Sequence, residues 1–386
     1  MAGVPDDAGA SAPGLLPLGT AAFLVFGVVL VLVGANQAEL ARALGLDLTR
    51  SGLLGAALSG GLGAGVTVVG PLVDRLPRRP LFLAATLVAG ASCLLMGPEV
   101  GFGGALVLLA LLGLGVGAYD TLLNALAVER YGRSATGPLA VLHGAATLGA
   151  ALGPFAIGAL TDRGGFEASF HATGGLLLVL SVAVAAVPLP APPARATSGL
   201  GGDLCHVLGP ALAALALVSF AYVGVETSLT LLAVPWASAE LGLGPERGRS
   251  SISTFWFGLF LGRLALLRVG RPVGGFDLAA AGATGGLLLA AGVAFEVSVP
   301  EAVTFSVGVA LGAVYPVMIA LAGRAFPEAR GLATGLVAGL GAAGGFAWPW
   351  FSGWLGDFAG PGVAVGSLVG GCAAIALAGV WFARRG

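Results

Sequence analysis

The stretch LHGAATLGAALGPFAIGALTD, residues 142–162, returns 195 residues later as VAGLGAAGGFAWPWFSGWLGD, residues 337–357. Gly144, Gly149, Pro154, Gly158 and Asp162 fall on Gly339, Gly344, Pro349, Gly353 and Asp357. The same offset places Gly113 on Gly308 and Gly117 on Gly312. Both copies lie in long apolar segments, so the repeat belongs to a chain that spans a membrane. Two tandem bundles of membrane helices are one architecture of secondary carriers, with the solute held near the bilayer midplane between them.

Composition points the same way. Of 386 residues, 57% are hydrophobic and only 10% charged, where soluble proteins average about 25% charged. Mean hydropathy is +0.98. The length accommodates twelve spans of about 20 residues each, short loops and no soluble catalytic domain. Apolar runs and their breaks place the spans at 18–38, 51–72, 80–97, 102–129, 136–161 and 171–189, then at 207–239, 251–270, 277–297, 302–325, 330–355 and 362–383. The expected fold is an all-α integral membrane protein of twelve transmembrane helices in two pseudo-symmetric six-helix bundles. Residues 1–189 form the first bundle and 207–386 the second, with a Pro- and Gly-rich cytoplasmic linker at 190–206.

Every basic residue is arginine. With both termini on the cytoplasmic side, Arg75, Arg78, Arg79, Arg130, Arg133, Arg195, Arg263, Arg268, Arg271, Arg324, Arg330, Arg384 and Arg385 lie inside. Arg42, Arg50, Arg163, Arg247 and Arg249 lie outside. That asymmetry follows the positive-inside rule. The N-terminal stretch carries Asp6 and Asp7 without a basic region, so it is not read as a cleavable signal peptide. Cys93, Cys205 and Cys372 are scattered and odd in number, so neither a disulfide framework, a metal site nor a cofactor is indicated.

Ionisable groups inside spans are costly and mark functional positions. Asp120 sits mid-span, with Asn124 one turn further on the same face. The repeat maps Asp120 onto Tyr315, whose ring and hydroxyl suit stacking on and bonding to a polyol. Glu226, flanked at one turn by Tyr222 and Thr230, is the second embedded acid. His143 is the one histidine in a span interior, where it either relays protons or packs helices. Trp256 is a candidate cavity aromatic.

The loop GPLVDRLPRRP at 70–80 resembles the G-x-x-x-D-R-x-G-R-R signature of the major facilitator superfamily. Gly70, Asp74, Arg75, Arg78 and Arg79 are in place, and Pro77 stands where Gly is usual. A carboxylate there can hold a neighbouring helix N-terminus and nearby guanidinium groups, latching the cytoplasmic side. The corresponding GRLALLRVGRP at 262–272 lacks the Asp, which leaves a symmetric latch in question. Within the superfamily the chain is most similar to the fucose permease-like sugar:proton symporters. The likeness rests on GLGVGAYDTLLNALAVERYG (113–132), LHGAATLGAALGP (142–154), FAYVGVETS (220–228), FWFGLFLGR (255–263) and ALGAVYPVM (310–318). It implies that Asp120 couples protons to substrate, that Asn124 and Tyr315 touch substrate, and that Glu226 bonds sugar hydroxyls or titrates. The first span departs from that pattern, offering Asn36 and Gln37 and then Glu39 instead of an embedded acid.

The expected function is alternating-access, proton-coupled uptake of a small polar solute such as a sugar. The expected partners are that solute, protons and the lipid bilayer, with no nucleic acid. The expected state is a monomer in a bacterial inner membrane. Proton-coupled efflux of drugs or metabolites is the alternative, resting on GAALGPFAIG at 149–158, which resembles a superfamily antiporter motif. An enzyme would need a nucleophile with its base, or a ligand cluster, and no such pattern is present.

Overall fold

The computed structural model describes residues 14–73, 75–131, 135–189, 208–266, 268, 271–326 and 330–385. Asp74 of the expected gating loop and the expected linker at 190–206 lie outside the described residues.

Thirteen α-helices occur among the described residues. The first six are α1 (Leu15–Ala35), α2 (Gln37–Leu44), α3 (Leu48–Val73), α4 (Arg78–Leu94), α5 (Gly101–Tyr131) and α6 (Thr136–Ala186). The rest are α7 (Pro210–Pro235), α8 (Pro245–Leu266), α9 (Gly275–Ala294), α10 (Pro300–Leu311), α11 (Val314–Ala325), α12 (Arg330–Ala359) and α13 (Pro361–Ala383). Twelve passes result, because α2 is a short surface helix, α6 crosses twice and α10 with α11 makes one crossing. Most passes are long and apolar enough to span a bilayer by length and composition alone. The remainder are α4, with only 17 residues, α8, which carries Glu246, Arg247, Arg249 and Arg263, and glycine-rich α12.

Two breaks have clear local causes. A loop was expected between 161 and 171, yet the turn is confined to Gly164 and Gly165 inside α6. Gly165 takes φ 73°, which only glycine adopts at little cost. The tenth pass breaks at Gly312 and Ala313. Pro316 lacks the N–H that would continue the ladder from α10. Tyr315 consequently sits in the first turn of α11, in the middle of a crossing.

In lipid, apolar side chains alone provide little drive for helices to associate, and small residues allow the close approach that does. The repeat appears here as packing. Gly113 and Gly117 press α5 onto the α3 backbone at Leu58 and Leu62, leaving no room for a β-carbon. Their repeat mates Gly308 and Gly312 press the tenth pass onto α8 at Phe255 and Leu259. Likewise Gly149 seats α6 on α1 at Leu24, and Gly344 seats α12 on α7 at Phe220. Large apolar side chains such as Phe155, Val182, Phe358 and Leu377 point outward, as a lipid-facing surface requires.

The first six helices meet the last seven mainly through α3 against α12 and α6 against α8. The α3–α12 contact runs from Gly353 on Leu48, past Gly52 on Pro349, to Gly60 on Phe346 and Gly63 on Ala342. Beyond it, Gly70, Gly335 and Gly339 face open space among the described residues. The bundle is therefore closed at the end where α1 stops and α3 starts, and it opens towards the end carrying Arg75.

Gly344→Val should overpack the α12–α7 contact, costing about 1–3 kcal/mol and lowering the thermal midpoint in detergent. Gly137→Ala, placed where a β-carbon meets open space, should leave the midpoint in place. Equal midpoints for the two variants would contradict the close approach.

Candidate functional site

The helix breaks and glycine contacts bring four polar faces to the middle of the bundle. From α5, Asp120 and Asn124 share a face, and Asn124 Nδ2 donates to Asp120 Oδ1 at 3.0 Å. From α6 come His143 and Thr147, one turn apart, with the Thr147 hydroxyl bonded back to the His143 carbonyl. From α7 come Tyr222 and Glu226, also one turn apart. Tyr315 arrives from α11 with its ring centroid 6.2 Å from that of Tyr222.

A residue that the positive-inside tally counts on the cytoplasmic side completes the set. Arg263 lies inside α8, within the expected span 251–270, and reaches across the bundle. Its Nη1 donates to Thr147 Oγ1 at 2.6 Å and its Nη2 to Tyr222 Oη at 3.3 Å. The hydrogen bond to Thr147 joins α8 to α6. Tyr315 lies within electrostatic reach of Asp120, Glu226 and Arg263 together, and His143 within reach of Arg263. These groups thus surround one region. Asp120, Asn124, Glu226, Arg263 and Tyr315 are each partly exposed, and His143 is exposed, although all sit deep in the helix bundle. They line a hollow rather than a packed core. His143 also meets the ring of Phe23 edge-on at 5.2 Å.

Trp256 is placed differently. It is buried, and its indole Nε1 donates to Thr230 Oγ1 at 3.1 Å, one turn above Glu226 towards the closed end. Thr230 in turn bonds the Glu226 carbonyl at 2.8 Å. Among the described residues, no group of three or more His, Cys, Asp or Glu is placed to hold a metal ion.

Gly70, in the last turn of α3, faces open space, and Arg75, in the loop that follows, is exposed. Arg78 is buried and pairs with Glu129 of α5 at 2.6 Å. Arg79 Nη2 donates to the carbonyl of Val187, past the end of α6, at 3.0 Å. Two of the loop's arginines thus tie α4 to helices α5 and α6 at the open end.

The closed end carries a second charged set that the sequence reading did not foresee. Arg249, at the start of α8, is buried against Gly158. It donates to the Ala35 carbonyl at 3.1 Å, to Glu39 Oε1 at 2.7 Å and to Asp162 Oδ1 at 3.5 Å. Asp357 closes the other side, accepting from the backbone N–H groups of Leu48 and Thr49 at 2.8 and 2.7 Å. That carboxylate satisfies the orphan donors at the α3 N-terminus. Asp162 and Asp357 are repeat mates, and each reaches the start of a helix on the opposite side. Asn36 is a spacer here, bonded by Thr161 at 2.8 Å and itself donating to Ser169 at 2.9 Å. The sequence carries a signal for both arginines: Arg263 falls inside the expected span 251–270 and Arg249 two residues before it, although the positive-inside tally uses them only as markers of side.

The family model described as Major Facilitator Superfamily matches residues 18–307. No curated protein matches the sequence significantly. Among solved structures, the chain is similar to the nucleoside transporter NupG at a TM-score of 0.71 and 13% identity, over 95% of this chain and 97% of that one. It is similar to a D-xylose-proton symporter at 0.73 and 15% identity, over 95% and 96%. It is also similar to the transporter FucP in the outward conformation at 0.66 and 16% identity, over 95% and 98%. At such identities the likeness concerns the fold.

Removing Arg249 leaves Glu39 and Asp162 without their shared partner, so the closed end should loosen. A cysteine at Gly55, which faces Leu231 and Pro349, placed in a Cys205→Ser background, reports this. Arg249→Gln should raise its labelling by a maleimide several-fold. Unchanged labelling would show that the charged set does not hold that end shut.

Proposed function

This chain belongs to the Major Facilitator Superfamily, and from that premise we propose that it is a secondary active transporter working by alternating access. It takes up a small polar solute such as a sugar together with protons. The observation that carries this reading is the hollow lined by Asp120, Asn124, His143, Glu226, Arg263 and Tyr315 from both sides of the bundle. Such groups are expensive at bilayer depth and are retained where they meet a solute or a proton.

In this mechanism residues 1–189 and 207–386 move as two bundles about the hollow. Asp120 and Glu226 carry protons and His143 takes part in their passage. Asn124, Tyr315 and Glu226 bind the solute. Trp256, hydrogen-bonded to Thr230, backs Glu226 from the closed end. The loop with Gly70, Asp74, Arg75, Arg78 and Arg79 gates the opposite end, where Arg78 and Arg79 already grip α5 and the end of α6. Arg75, Arg268, Arg271, Arg324, Arg384 and Arg385 lie at the open end, and Arg42, Arg50, Arg163 and Arg247 at the closed end. That distribution favours a cytoplasmic open end with both termini inside a bacterial inner membrane. The chain acts as a monomer.

Efflux of drugs or metabolites is the second reading. Its support is GAALGPFAIG at 149–158, but Gly149 and Gly158 of that segment are engaged in packing on Leu24 and Arg249. Uptake therefore stands first.

The test is uptake into proteoliposomes of labelled L-fucose, D-xylose and D-galactose, with ethidium as the efflux probe, under an imposed pH gradient. Asp120→Asn should reduce gradient-driven accumulation at least about tenfold, the equivalent of about 1.4 kcal/mol, while solute counterflow persists. Full accumulation by this variant would remove Asp120 from proton coupling. Ethidium movement without sugar counterflow would move the function to efflux.

A further inference from the structure

Among the described residues, Arg78 and Arg249 are buried near helix ends and paired with carboxylates. Arg78 meets Glu129 at 2.6 Å, and Arg249 meets Glu39 and Asp162 at 2.7 and 3.5 Å. Arg263 differs from both. Its partners are two neutral hydroxyls, Thr147 and Tyr222. Among the described residues no carboxylate oxygen lies within the 4.0 Å of an ion pair with it. Its Nε is buried and without a hydrogen-bond partner. The side chain is nonetheless partly open to the central hollow.

An arginine stays charged at all working pH values and carries five donors in a planar fork. A buried charge without a counter-ion is among the costliest arrangements in a protein, several kcal/mol after relaxation. Its fork matches an oxyanion in the bidentate manner. Glu226 stands within electrostatic reach of Arg263 and against the Tyr222 hydroxyl, without an ion-pair contact to the guanidinium. Asp120 is engaged with Asn124 and makes no ion pair with Arg263. His143 faces the same guanidinium and adds no negative charge. The hollow therefore holds one cation that no anion among the described residues neutralises at contact distance.

We propose that the transported solute is a hydroxylated organic monoanion, its carboxylate received by Arg263 and its hydroxyls by Asn124 and Tyr315. This deepens the uptake reading above and rests on it. A monoanion is favoured over a phosphate dianion because a single guanidinium is uncompensated, and a second negative charge would face Glu226 and Asp120. Thr147 and Tyr222 act as positioning residues: each takes one N–H of an Nη group, which leaves the second N–H of each Nη for the solute.

The experiment uses the purified full-length chain in detergent. Thermal stabilisation is measured with D-galacturonate, D-gluconate and L-lactate, with their uncharged counterparts D-galactose, D-glucose and glycerol, and with D-galactose 1-phosphate. At least one carboxylate should stabilise more than its uncharged counterpart and more than the phosphate. Arg263→Gln should weaken that ligand about 10- to 100-fold, the range for a charged hydrogen bond. Arg263→Lys should retain part of the affinity, and Arg50→Gln, an exposed control, should retain all of it. An unliganded melting curve and a gel-filtration profile establish that Arg263→Gln is folded.

Stabilisation by the neutral sugars equal to that by the acids would overturn the proposal, as would full carboxylate affinity in Arg263→Gln, preference for the phosphate, or no response to any acid. Counterflow in proteoliposomes separates the two levels. Saturable counterflow of galactose that is indifferent to Arg263→Gln keeps the carrier and discards the anion. Counterflow of no solute, charged or neutral, discards the carrier reading itself.

Discussion

Close helix approach in lipid is the constraint on which the remaining architecture depends. A bilayer gives apolar helices no reason to leave it for one another, so their contacts must come from surface fit and polar bonds. In this chain the fit is made by glycines whose missing β-carbons let one backbone lie on the next. The pairs Gly113/Gly117 and Gly308/Gly312 do so on α3 and α8, and Gly149 and Gly344 do so on α1 and α7. Because the repeat supplies each contact twice, the molecule acquires its pseudo-symmetry from packing rather than from matching side-chain chemistry.

That division frees the side chains at the centre to differ between the repeats. Asp120 and Tyr315 occupy equivalent positions, yet one is an acid in an unbroken helix and the other a phenol beside a proline break. The hollow is correspondingly asymmetric: amide, acid and imidazole from one side, phenols, acid and guanidinium from the other. A symmetric scaffold with an asymmetric lining suits a small solute with two chemically distinct ends.

Polar groups away from the hollow are spent on the closed end. Arg249 draws α1, α2 and α6 onto the start of α8, and Asp357 binds the α3 N-terminus to the end of α12. Both arrangements are built from charges near helix ends, where water can replace the partner when they separate. The two differ in burial: the Asp357 contact is exposed, whereas Arg249 is buried. The opposite end lacks such cross-links among the described residues, and its arginines Arg78 and Arg79 instead tie α4 to α5 and to the end of α6, all within the first six helices.

The superfamily fold was legible because apolar runs, turn residues and the 195-residue repeat are local or periodic properties of the chain. Span boundaries followed within a few residues, and the main departure, the turn at Gly164–Gly165, arose because two glycines reverse the chain without a loop. Asp120, Asn124, Glu226 and Tyr315 could be named from the sequence because an embedded polar group stands out against its apolar neighbours. Arg263 also falls within an expected span, but the positive-inside tally absorbs it as cytoplasmic charge. Only the tertiary structure decided that Arg263 meets Thr147 and Tyr222, that Arg249 meets Glu39 and Asp162, and that Asp357 caps α3. Those partners lie up to 309 residues apart, and no helical or strand periodicity encodes such distances; only the folded packing of helices brings them together.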